Sequence, residues 1–178
     1  MTMPTRRPLQ FHDLDDAVRD AESLLASGYD RAGNWDLAQT CGHLAEWMRF
    51  PLEGFPRGPL PVRMILWFVG ITFARRKLRK TLASNAMPAG GPTLRETVPP
   101  PGGDEAAAVG RLRQTVERFK AYDGPLHPSP LFGDLDRETA SRMQLLHCAH
   151  HLGFLVPRRG VEREARKEQA SRPDVGGA

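Results

Sequence analysis

Apolar residues in this chain recur every three or four positions and nowhere alternate over a useful length, so helices are the regular elements able to bury them. Leu14, Ala17, Val18, Ala21, Leu24 and Leu25 form the first stripe, with Asp13 placed to cap it and Gly28 to stop it. After Ala32-Gly33-Asn34, Asp36 followed three residues later by Gln39 makes a capping box. The second helix that it opens should run until Pro51 halts it.

Residues 51–62 hold four prolines and two glycines and must be a loop. A third helix, apolar and then basic, is expected from Arg63 to about Leu82, followed by a second Pro/Gly-rich loop over 84–103. Val109, Leu112, Val116 and Phe119 mark a helix from about Asp104 to Tyr122. The last helix should start near Asp136, pass through Ala140, Met143, Leu146, His147, His151 and Phe154, and end at Pro157. The fold class is therefore all-α. Four main helices make the core, and an apolar/basic helix is inserted in the connection between helices two and three. One domain should cover residues 1–157, and the polar, charged tail 158–178 is expected to be disordered.

A chain of 178 residues can bury a core without a metal to hold it. With 25 Lys+Arg against 21 Asp+Glu the net charge is only +4, and the arginines are scattered, so no nucleic-acid partner is expected. The two cysteines, Cys41 and Cys148, lie within helical patterns and imply no disulfide framework, which makes a reducing cytoplasm the expected setting. The first residues are basic but no apolar segment follows them, so no secretory signal is expected. The longest apolar stretch, Met64 to Ala74, falls far short of the roughly 18 residues a bilayer span needs. The run Arg75-Arg76-Lys77-Leu78-Arg79-Lys80 behind it suits either an anionic surface or a solvated face.

Three of the six histidines fall in Leu146-His147-Cys148-Ala149-His150-His151. In a helix His147 and His151 are one turn apart and share a face. That face also carries Met143 and Phe154 and so looks inward, where an unpaired polar ring costs about 1–3 kcal/mol. A divalent metal offers compensation, because neutral imidazole is a good ligand for zinc, nickel or iron. His43, at the edge of the stripe Leu37, Cys41, Leu44 and Met48, is the donor to expect from a facing helix. Three protein ligands leave a coordination position open, which is the catalytic rather than the structural pattern of zinc sites. The competing reading is a helical His-x-x-x-His pair that merely packs.

Residues 33–44, Gly-Asn-Trp-Asp-Leu-Ala-Gln-Thr-Cys-Gly-His-Leu, resemble the Gly-x-Trp-(Ser/Asp)-x-x-(Gln/Glu)-x-x-x-His-Leu opening of helix two in the DinB-like superfamily. His147-Cys148-Ala149-His150-His151-Leu152-Gly153 is similar to its His-x-x-(His)-His-Arg-Gly-Gln ending. The loop His127-Pro128-Ser129-Pro130-Leu131-Phe132-Gly133 resembles the His-Pro-x-Phe-Gly element of one uncharacterised branch of that superfamily, a domain of unknown function numbered 1569. The likeness spans about residues 8–157. It implies a four-helix bundle with a three-histidine metal site, whose ligands map onto His43, His147 and His151. Leu152 and Phe154 stand where better-known relatives carry Arg and Gln, and Thr139-Ala140-Ser141-Arg142 lacks the branch's usual Trp.

Gln39 and Glu46 flank His43 and could orient it, and His127 and His150 could border the site. Trp47 and Trp67 are expected in core or interface, and Trp35 across the start of helix two. The resemblance implies a metal-dependent S-transferase or hydrolase that activates a low-molecular-weight thiol or water. The alternative is a non-catalytic metal-binding module, in which the apolar insert helix could pair two copies as a homodimer.

Overall fold

The computed structural model describes residues 4–56, 73–87 and 97–158. Residues 63–72 of the expected insert helix, Trp67 and the tail after 158 lie outside the described residues. What is described is mostly helical: α1 (Leu14–Ser27), α2 (Leu37–Glu53), α3 (Arg75–Ser84), α4 (Glu105–Ala121) and α5 (Arg137–Leu152). Among the described residues no helix is long and apolar enough to cross a membrane.

The helix starts follow the capping residues. Asp13 accepts from Asp16 N at 2.8 Å and Asp36 from Gln39 N at 2.7 Å, each within a capping box. Asp104 and Asp136 cap α4 and α5 on Ala107 N and Thr139 N. The stripe of α4 is buried as its spacing required, and Leu112, Val116 and Phe119 are almost without exposure. They pack with Leu14, Ala17, Val18, Ala21 and Leu24 of α1, with Leu37, Leu44 and Met48 of α2, and with Leu152 near the end of α5, in one core. The most extensive helix contact is α2 against α4. Cys41 and Cys148 are free and fully buried within that core, where desolvation pushes the Cys148 thiol up to about 12.

Two helix ends differ from the sequence expectation. Pro51 does not halt α2, which runs on to Glu53 and stops at Gly54 with φ +104. Proline at 51 removes the N–H that would bond the Trp47 carbonyl, but that carbonyl accepts from Gln144 Nε2 of α5 at 3.4 Å instead. The substitute partner lets the last turn survive. The final helix, in turn, stops at Leu152 rather than Pro157. Arg7 N donates to Gly153 O at 2.8 Å, and a Cβ on Gly153 would stand 2.9 Å from the Arg7 carbonyl. The N-terminal segment thus crosses the helix end and turns the chain there. Arg7 locks the crossing with two bonds to Asp20, at 2.8 and 2.7 Å, and one to the Leu152 carbonyl at 3.1 Å.

Beyond that turn the chain forms a two-stranded antiparallel sheet that the sequence reading did not anticipate. β1 (Tyr29–Arg31) pairs with β2 (Leu155–Pro157), Tyr29 opposite Pro157 and Arg31 opposite Leu155. Three-residue strands are too short to show alternation. The sheet ties the end of α5 to the link between α1 and α2, holding the two histidine-bearing helices in register. Tyr29 strengthens this corner, because its hydroxyl accepts from Leu37 N at 2.8 Å and donates to Glu105 at 2.5 Å. Desolvation first, and the Glu105 carboxylate second, raise its pKa to about 12. Tyr29→Phe leaves both partners unmatched and is expected to cost about 1 kcal/mol, read from the urea midpoint at constant slope.

Candidate metal centre

His43 lies in the middle of α2, and His147 and His151 one turn apart on the facing side of α5. One ring nitrogen from each lies within 4.8 Å of the other two, a group that could hold a metal ion. His43 Nε2 and His147 Nε2 are 3.3 Å apart. Two nitrogens bound at ~2.05 Å to one tetrahedral ion would stand ~3.3 Å from each other, so that pair already has ligand spacing.

The chemistry of the donors fits as well. Burial pushes the His43 pKa down to about 4 against the hydrogen bond to Thr97, and burial pushes His147 and His151 down too, reinforced by their histidine neighbours. All three rings are therefore neutral near pH 7, the form that offers a lone pair. Neutral imidazoles whose nitrogens face one another, His43 buried and His147 and His151 half-buried, are poorly satisfied by each other, whereas a cation among them would take every lone pair.

Tryptophans wall the cluster. Trp35, just before the α2 cap, stacks on His151 with centroids 4.9 Å apart and planes 6° from parallel, and meets His43 edge-on at 4.9 Å. Trp47, one turn beyond His43 on α2, stands edge-on to His43 at 6.1 Å and to His147 at 5.8 Å. Beside this aromatic frame a cavity of about 300 Å³ opens on the three histidines.

His43 Nδ1 lies 2.9 Å from Thr97 Oγ1. With Nε2 given to a metal, Nδ1 carries the proton and donates to that hydroxyl, which fixes tautomer and ring plane together. The sequence offers Gln39 or Glu46 for this role. Gln39 instead completes the α2 capping box and donates from Nε2 to Pro99 O at 3.1 Å, while Glu46 pairs with Arg49 at 2.7 Å. Gln39 still serves the site indirectly, since it anchors the segment that carries Thr97. Gly42 makes the close approach of that segment feasible, because a Cβ there would sit 2.5 Å from Pro99 Cγ. Nothing in the pattern around Thr97 marks it in advance, as it lies within the Pro/Gly-rich loop 84–103 and belongs to no stripe. Thr97→Val is expected to weaken metal binding about 10- to 100-fold with little change in melting temperature of the metal-free protein, measured by competition with a chromophoric chelator.

His150 and His127 fare differently. His150 Nδ1 donates to the Met87 carbonyl at 3.2 Å, and its ring stands edge-on to His151 at 4.8 Å on the cavity wall. His127 is exposed, tied by its backbone N–H to the Pro51 carbonyl at 2.8 Å, and its ring borders Gly54 rather than the three histidines.

Residues 3–158, including all three clustered histidines, match the model of a family described as protein of unknown function (DUF1569). The chain belongs to the DUF1569 family. No curated protein and no solved structure matches it. For this DUF1569 member, then, the chemistry of the site has to be read from its own residues.

Proposed function

We propose that this DUF1569 protein is a divalent-metal protein of DinB-like, four-helix-bundle type, with His43, His147 and His151 as ligands, acting on a small thiol or on water as an S-transferase or hydrolase. The observation that carries the proposal is the juxtaposition of three neutral histidines with a cavity opening directly on them. A purely structural site would be closed by a fourth protein ligand, and no cysteine or carboxylate joins this group among the described residues. The cavity favours ligand binding over the alternative of a non-catalytic module, in which apolar side chains would plug the open side.

A bound zinc, nickel or ferrous ion would supply Lewis acidity and lower the pKa of a coordinated thiol or water. The chain does the rest. Thr97 holds the His43 proton on Nδ1 and Trp35 fixes the plane of His151, so both ligands are preorganised. Trp47 and Phe55 line the cavity and give it an apolar wall beside the reacting groups. His150 commits its Nδ1–H to Met87, which leaves Nε2 as an acceptor on a ring that lines the same cavity.

Cobalt substitution tests this reading. Adding 2-mercaptoethanol to the cobalt-loaded protein should produce a near-ultraviolet thiolate-to-cobalt charge-transfer band that His147→Ala lacks. A cobalt-loaded protein whose spectrum no thiol or pH titration alters would rule out an open, reactive position.

A further inference from the structure

None of the described residues that line the cavity is an aspartate or glutamate. Its single Lys or Arg among them is Lys77, on α3. That helix also carries Arg76, Arg79 and Lys80 and no acidic residue, so the side of the cavity that Lys77 forms is basic. Most of the remaining lining is apolar, including Phe55, Phe132, Leu135 and Met143, with Thr81, Ser129 and Gln144 as the uncharged polar groups. A volume of about 300 Å³ is at the small end of ligand pockets, which run from roughly 300 to 1,000 Å³. It suits a small molecule and not a polymer. Too few hydrogen-bonding groups are present for a sugar.

Charge decides the rest of the ligand's chemistry. Three neutral imidazoles leave the two charges of a divalent ion uncompensated, and Lys77, the one Lys or Arg among the described lining residues, adds a third. We infer that the cavity takes a small amphipathic dianion, with an anionic donor such as a thiolate at the three-histidine site, an apolar body against Phe132, Leu135 and Met143, and a carboxylate paired with Lys77. This rests on the metal reading above, and names the substrate class that reading leaves open.

The test uses the full chain loaded with zinc. It is titrated calorimetrically with ω-mercaptocarboxylates of three to eight carbons and with the ω-mercaptoalcohols of equal length. At the best length the acid should bind about tenfold tighter than the alcohol, the gain expected of one charge-assisted pair. Lys77→Gln, an exposed position, should erase that preference and leave both the alcohol's affinity and the zinc content unchanged. Equal affinities for acid and alcohol in the wild type, or a preference that survives in Lys77→Gln, would overturn the inference while leaving the metal site intact. A wild type that holds no zinc would overturn both.

Discussion

Acidified from pH 7 to pH 4, the metal-free protein is expected to lose about 3 kcal/mol of stability from His43 alone, and about 2 kcal/mol of it already by pH 5. The sign follows from burial. His43 is 1% exposed and its pKa is depressed to about 4 in the fold, against the ordinary 6.5 once unfolded. Between those two values the unfolded chain binds the proton and the folded one does not, so protonation pulls the equilibrium toward unfolding. Full stability is present above about 6.5 and drains away as pH falls to about 4. His147 and His151 are depressed in the same direction, first by desolvation and then by a neighbouring histidine, His43 beside His147 and His147 beside His151, and deepen the loss. Urea titrations at stepped pH measure it. His43→Leu should flatten the profile, and an unchanged profile in that variant would show that the burial of His43 is not what makes the protein acid-sensitive.

The second large effect is on metal affinity. Structural zinc sites with four ligands are worth about 10–16 kcal/mol, or ~3 kcal/mol for each ligand, so removing one imidazole should weaken binding by at least about 100-fold. His147→Ala and His151→Ala should therefore lose their metal on dialysis, and with it the added thermal stability that ligation gives. At a thousand times the dissociation constant that gain is about 4 kcal/mol. A hydrophobic replacement separates site from scaffold. His147→Leu should abolish metal binding yet leave the metal-free fold as stable as the wild type or more so, because it replaces a half-buried polar ring with an apolar side chain. If the histidines only packed, neither chelator nor metal would move the wild-type melting temperature.

The legible parts of this protein were those written in local chemistry. Asp13, Asp36, Asp104 and Asp136 precede apolar stripes, and each caps a helix where the pattern put it. The turn spacing of His147 and His151 placed them together, and His43 on the facing helix completes the cluster. What escaped was what depends on partners distant in sequence. Gln144 satisfies the carbonyl that Pro51 strands, so the helix continues. Arg7 meets Gly153 and ends α5 early, and the strands Tyr29–Arg31 and Leu155–Pro157 exist because the turns at either end bring them together. Thr97 reaches His43 only because Gly42 has no side chain to keep Pro99 away. Trp35 is likewise read from sequence as packing, whereas its parallel stack on His151 makes it part of the frame of the site.

Elemental analysis of the tag-free protein, reconstituted with zinc and dialysed, tests the central claim most directly. One zinc per chain in the wild type, falling to none in His43→Ala, His147→Ala and His151→Ala, is the predicted result. A wild type without zinc, or three variants that keep it, would contradict the three-histidine centre.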